Sequence, residues 1–316
     1  MFPFIFRRLL LFIPVLWVIA TITFFMVRLA PGDPFSDEKE MPEEVRARIK
    51  AQYGLDQPLH IQYGRYLLNL LRGDLGPSYK HIGTSVNTII KEAFPKSLEL
   101  GLYAMAIALI LGITAGSLAA LKQNSILDYA PMSLAMVGIC LPTFVMGPLL
   151  VLVFGLWLEW FPVAGWSTWF GEGFFPENWP QDRVLPACTL GFFYAAMIAR
   201  LTRGGMLETL SQDFIKTARA KGLTETRVVL KHGLRGGILP TVSFLGPAFA
   251  GIISGSFVIE TIFNIPGLGR HFIEAATNRD YTLVLGTVLF YATLILMLNL
   301  LVDIMQAWLN PRIRIQ

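Results

Sequence analysis

Six stretches of this chain contain no charged residue, and they limit its possible folds more than any other feature. They run from Leu9 to Val27, Leu100 to Leu121, Tyr129 to Leu158, Val184 to Ala199, Gly236 to Ile259 and Tyr281 to Val302. About 20 apolar residues suffice for a helix to cross a bilayer. Soluble proteins average roughly 25% charged residues, whereas this sequence has 15%, with 54% hydrophobic. The expectation is an integral membrane protein of six transmembrane helices.

Arg7-Arg8 precede the first run, which is too long for a secretory signal and has no small-x-small cleavage site before Arg28. It reads as a retained span with its N-terminus inside. Six spans then place both termini in the cytoplasm, in keeping with Arg312 and Arg314 in the tail. Pro131, Pro142 and Pro148 predict a kinked third span with an irregular end. Val184 to Ala199 is short, about 24 Å as helix against roughly 30 Å of hydrocarbon. Arg200 must therefore snorkel, or the helix begins earlier.

Residues 31–93 are mixed and polar, and the topology places them outside. Leu29 to Pro34 is a rigid exit, Pro42 opens a charged helical patch to Tyr53, Leu59 to Leu71 is amphipathic, and Gly73 and Gly76-Pro77 are stops and turns. The segment is either a solvated spacer or part of a docking surface. Trp160, Trp166, Trp169 and Trp179, with Glu172, Glu177 and Asp182, suit an outer interfacial connection. The pairs Gly112/Gly116 and Gly251/Gly255 fit close helix packing in lipid. Cys140 and Cys188 lie in apolar runs and read as buried free thiols.

The stretch from Arg200 to Pro240 stands apart. It has eight lysines and arginines against Glu208, Asp213 and Glu225, so it belongs on the cytoplasmic side. Leu207, Leu210, Phe214 and Ala218 recur at helical spacing and predict one amphipathic helix, which Gly222 stops. Thr224 is the expected N-cap of a second helix, with Leu223 and Val228 at staple spacing and Glu225 at the positive end of its dipole. Gly236-Gly237 is expected to break that helix before Pro240.

There is no GxxxxGK[ST] phosphate loop, HExxH motif or GxSxG elbow, and basic residues do not interleave with aromatics as on a nucleic-acid surface. The sequence thus gives no sign of catalysis, of a metal or cofactor held by this chain, or of a nucleic-acid partner. Glu260 and Asp303 are charges at the borders of the fifth and sixth runs. Ser254, Ser256, Glu260 and Asn299 are the candidates for a polar translocation pathway.

Thr217-Ala218-Arg219-Ala220-Lys221-Gly222-Leu223, followed by Ile238-Leu239-Pro240, resembles the coupling loop of ABC-importer permeases, in the version of peptide and nickel importers. It departs from the general importer pattern, which has a Glu-Ala-Ala triplet. Arg7-Arg8-Leu9, Arg28 to Phe35, Gly76-Pro77-Ser78, Ala120 to Asn124, Gly246 to Phe249, Val258 to Thr261 and Asn278 to Tyr281 resemble oligopeptide-importer permeases of the B type. The resemblance implies an all-α type I importer permease, with its transmembrane domain over 94–316 and a cytoplasmic coupling helix in the loop 203–240, between the fourth and fifth spans. It also implies a second homologous permease, two ATPase subunits holding ATP and Mg, and an extracytoplasmic peptide-binding protein, which Asn264, Pro266 and Gly267 would meet. Dipeptide, murein-peptide and nickel permeases share the pattern, and a passive channel or membrane scaffold is the alternative of another class.

Overall fold

The computed structural model describes residues 2–29, 43–167 and 180–309, which form helices and loops with one isolated bridge between Pro77 and Ser85. In chain order the helices are α1 (Phe2–Leu29), α2 (Glu43–Gln52), α3 (Leu59–Leu71), α4 (Val86–Leu121), α5 (Ile126–Cys140) and α6 (Thr143–Leu150). They continue with α7 (Gln181–Leu210), α8 (Asp213–Ala220), α9 (Glu225–Arg227), α10 (Leu234–Gly237), α11 (Leu239–Ile262), α12 (Leu268–Thr277) and α13 (Tyr281–Leu309). Wider i→i+5 turns extend α6 over Val151–Trp157 and join α9 to α10 over Val228–Gly233. Pro31 to Phe35, Trp169, Glu172, Glu177, Trp179, Arg312 and Arg314 lie outside the described residues.

Among the described residues, α1, α4, α7, α11 and α13 are each long and apolar enough to cross a membrane. The remaining expected span is a pair, Ile126–Cys140 and Thr143–Trp157, bent by 110°. The predicted kink is therefore a full break. Leu141 is extended (ψ 119°) and Pro142 follows it, the conformation that a proline imposes on the residue before it.

Two other spans exceed their apolar runs. α7 starts three residues before Val184 and continues through Arg200 and Arg203 to Leu210, so the early start replaces the short helix that 184–199 implied. Ser85 caps α4, its hydroxyl accepting from Thr88 N at 3.2 Å. Its 36 residues, about 54 Å, pass without interruption through position 94.

α4 and α7 form the central pair, and glycines set their separation. A Cβ on Gly112 would stand 2.8 Å from Ala195 O, one on Gly116 2.4 Å from Ala199 O, and one on Gly191 2.6 Å from Ala104 O. These are backbone contacts that only glycine permits. Gly251 meets a side chain instead, the Tyr194 hydroxyl, and Gly255 faces open space, so that pair is only half a packing motif. α5 and α11 pack on α7, α13 packs on α11, and α1 lies on α13. Cys188 is half-buried, whereas Cys140 at the end of the peripheral α5 is exposed.

The ends of the bundle differ in what they carry. One, here the cap end, bears α2, α3 and α12. The other, the elbow end, bears α8 to α10 and the Arg8–Asp303 ion pair (2.9 Å) that ties α1 to α13.

Candidate functional site

The elbow is built from the lower half of α7 and the segments that return to α11. At Ser211–Gln212 the chain leaves α7; Gln212 is extended (ψ 153°) and Asp213 starts α8. This break shifts the helical phase. Leu207 and Leu210 belong to α7, while on α8 the buried residues are Ile215 and Ala218. Phe214, expected on the buried stripe, is instead 50% exposed.

Ile215, Ala218 and Val228 form a small apolar cluster with Leu210 and Leu223 packed against it. That cluster is the seat of the elbow. Gly222 has φ +76° and nothing within 4 Å of where a Cβ would be, so backbone conformation rather than space requires glycine. Thr224 is extended ahead of α9 but makes no side-chain cap. Arg219 reaches across the turn to Glu225 instead, with Nε to Oε2 at 3.1 Å and Nη2 to Oε1 at 2.5 Å. This ion pair raises the Arg219 pKa and holds the Glu225 carboxyl below its ordinary 4.5. Thr217 Oγ1 donates back to Asp213 O at 2.9 Å. Thr217, Ala220 and Lys221 are exposed beside Phe214.

Gly236 and Gly237 do not break the helix; they let it touch α7. A Cβ on Gly237 would lie 2.5 Å from Met206 Sδ, one on Gly236 2.8 Å from Thr209, and one on Gly205 2.2 Å from Gly237 O. The return segment thus rests main chain against main chain, and Ile238 joins it to α11 through a single turn.

A second tie, which the sequence did not reveal, lies beside this seat. Asp128 in the first turn of α5 is buried and takes a bidentate pair from Arg203 of α7, Nε to Oδ1 at 2.6 Å and Nη2 to Oδ2 at 2.8 Å. Asn124, in the left-handed region at φ +61°, adds its backbone N–H at 3.0 Å. Two of the arginines of α7, Arg200 and Arg203, border a cavity of about 590 Å³ whose other wall is α5.

The four pathway candidates do not share one surface. Ser254 is exposed on α11 along the face of Ser243, Pro247 and Thr261. Asn299 is half-buried, with Oδ1 opposite Gly246. Ser256 and Glu260 are fully buried. Glu260 Oε1 accepts from Ser97 Oγ and Ser256 Oγ, each at 2.7 Å, and Oε2 accepts from Arg270 N at 3.0 Å. Ser97 Oγ in turn accepts from Leu268 N at 2.8 Å. Glu260 is thus a clasp that fixes the N-terminus of α12 to α4 and α11.

Gly267 is buried because this clasp fills the space beside it; a Cβ there would stand 2.5 Å from Glu260 Cδ. Asn264, at φ +52°, and Pro266 are exposed, and Asn264 Oδ1 accepts from Arg270 Nη1 at 2.5 Å.

A family model described as "Binding-protein-dependent transport system inner membrane component" matches residues 112–315. The chain belongs to this family. A companion model, "Binding-prot-dependent transport system membrane comp, N-term", matches residues 1–101. Among relatives of this permease, the oligopeptide transport system permease protein OppB of Haemophilus influenzae is 48% identical over 314 residues, 99% of this chain and 100% of that one. OppB of Escherichia coli K12 gives the same figures. The dipeptide transport system permease protein DppB of Bacillus subtilis is 43% identical over 298 residues, 94% of this chain and 93% of that one.

Two solved structures share the fold of the permease. A crystal structure of an amino acid ABC transporter superposes with TM-score 0.52 at 17% identity, over 70% of this chain and 94% of that one. The MetNI methionine ABC transporter gives 0.53 at 15%, over 70% and 96%.

Proposed function

We propose that this permease forms one half of the translocation pathway of an ATP-driven oligopeptide importer in the cytoplasmic membrane. Identity of 48% to oligopeptide permeases along the whole chain carries this reading. The other half is a second, homologous permease, and an extracytoplasmic binding protein delivers the peptide at the cap end, where Asn264 and Pro266 are exposed. Two ATPase subunits hold ATP and Mg beneath the elbow end, and both termini are cytoplasmic. The transmembrane domain proper is assigned to 94–316.

The elbow, Thr217 to Leu223 on α8 and its turn, transmits force. Closure of the ATPase dimer pushes the exposed face bearing Phe214, Thr217, Ala220 and Lys221. The buried seat of Ile215, Ala218 and Val228 passes the push to α7 and α11, which tilt and switch access to the pathway. Gly222→Val tests the turn without a side-chain clash, since the site is open and only the left-handed backbone resists, by about 1–2 kcal/mol. Peptide uptake should fall while ATP hydrolysis continues; unchanged uptake and unchanged stimulated hydrolysis would refute the lever. Lys221→Glu tests docking more cleanly than Arg219→Glu, because Arg219 also serves its own pair with Glu225.

Dipeptides are the second reading, favoured by 43% identity to a dipeptide permease. Purification in mild detergent with identification of co-eluting subunits, followed by competitive uptake of labelled dipeptides and pentapeptides, separates the readings. ATP-independent flux would instead indicate a channel.

A further inference from the structure

Three polar atoms near the cap end of α1 are buried and make no hydrogen bond: Arg28 Nε, Gln62 Oε1 and Tyr66 OH. All three residues line one cavity of about 240 Å³ between α1, α3 and the start of α13. Buried polar atoms in native proteins are nearly always paired, so three around one cavity point to a ligand that completes them.

The residues specify its chemistry. Arg28 is half-buried and has no carboxylate partner among the described residues; its guanidinium stacks over Phe24 at 4.9 Å and Tyr281 at 5.8 Å. A second guanidinium, that of Arg65, also borders the cavity. It folds over Gly54, where a Cβ would stand 2.5 Å from Nη1. Burial raises the Tyr66 pKa to about 12, so its hydroxyl remains a donor. Two arginines and a phenol form an anion site suited to phosphate oxygens.

Acceptors stand among the same lining residues. Gln62 already spends Nε2 on Leu55 O and Gln57 O, which leaves Oε1 buried without a donor, and Asp74 adds a carboxylate. They suit an ammonium or hydroxyl carried on the same ligand.

The position specifies its source. The apolar span Ile5–Leu29 has 25 residues, about 37 Å against roughly 30 Å of hydrocarbon, so its last turn lies at head-group depth. Ile22, Phe25, Met26 and Leu29 are exposed there and offer an apolar track for acyl chains. We propose that this cavity binds the phosphodiester head group of a membrane glycerophospholipid, with Arg28, Arg65 and Tyr66 on the phosphate and Gln62 and Asp74 on the polar head.

Native mass spectrometry of the delipidated full-length chain tests this, titrated with phosphatidylethanolamine, phosphatidylglycerol, diacylglycerol or inorganic phosphate. Both phospholipids should bind near one per chain, and diacylglycerol and free phosphate should not. Arg28→Gln should weaken retention roughly tenfold and Tyr66→Phe roughly threefold, as expected for losing a charged and a neutral hydrogen bond. Equal retention of diacylglycerol, binding of phosphate alone, or no effect of either substitution would overturn the proposal.

Melting gives a second readout should Arg28→Gln fail to fold. Without lipid, Tyr66→Phe removes an unsatisfied hydroxyl and should raise Tm; with phospholipid it should lower Tm. A rise in both conditions would mean that no phospholipid pairs the Tyr66 hydroxyl, and would overturn the proposal.

Discussion

The cap end and the elbow end are fastened by different physics. At the cap, buried carboxylates gather directional hydrogen bonds. Glu260 holds Ser97, Ser256 and Arg270 N. Asp280, also buried, accepts from Ser78 Oγ, from Tyr79 N at 3.1 Å, from Lys80 N at 3.3 Å and from Leu283 N at 3.2 Å. Asp182 and Glu99 hold buried Arg183 at 2.5 and 3.1 Å, with Trp166 stacked on the guanidinium at 4.4 Å. At the elbow, glycines bring main chain against main chain where the return segment meets α7, and the ion pair across the turn is solvent-exposed; the buried Asp128–Arg203 pair fastens α5 to α7 but does not hold the return segment. Hydrogen bonds to a buried carboxylate allow one geometry, whereas close-packed small residues tolerate sliding. The contrast assigns rigidity to one end and compliance to the other.

The hardest blow to this contrast should be Glu260→Ala. It strands the Ser97 hydroxyl and the Arg270 N–H, while Ser256 keeps Ile253 O at 2.8 Å, at a cost of about 3 kcal/mol. Thermal melting in detergent should fall and amide exchange should rise over 264–280 with the elbow unaffected; an unchanged melt would remove the basis for a rigid cap. Next comes Gly205→Ala, whose Cβ would stand 2.2 Å from Gly237 O. Overpacking of this kind costs about 2 kcal/mol. Exchange should quicken over 225–238 while 264–280 keeps its protection, and loss of protection at both ends together would mean they are one unit.

Asp128→Asn should do less, lowering Tm by a few degrees and loosening α5 on α7, and it should depend little on salt because the Asp128 carboxylate is buried. Strong salt dependence in the wild type would place that pair in solvent.

The smallest effect is one of pH, and it separates the ends. Burial holds the His271 pKa below the ordinary 6.5, against the opposing pull of Glu274 and assisted by His81, Arg270 and Lys96. The unfolded chain therefore takes up this proton first, and stability at the cap declines as pH falls below 6.5. At the elbow, Glu225 is depressed below 4.5, so its pairing is intact above 4.5 and is lost only as pH falls further. Amide exchange at pH 5.5 should loosen residues near α12 but not the turn at Gly222; the reverse order would contradict both assignments.

Much of the fold was legible because membrane helices announce themselves by uncharged length. Gly222 was legible because few residues other than glycine tolerate its φ. Phe214 was misplaced because periodicity was extended through Ser211–Gln212, where the helix phase resets; the sequence Ser-Gln-Asp was the available signal. Gly236-Gly237 looked like a breaker because residue type alone does not distinguish a flexible glycine from one that makes room for a neighbour. The partnership of Asp128 with Arg203 spans 75 positions, and Glu260 lies 163 positions from Ser97. No local pattern encodes such pairings. They exist only once α4, α5, α7 and α11 are assembled.

The contact of Gly205 with Gly237 is made of peptide groups alone, so it carries no record of which side chains surround it. Provided those two positions stay bare, the exposed surfaces of α8 and α9 are free to change, with the contact beneath them left as it is.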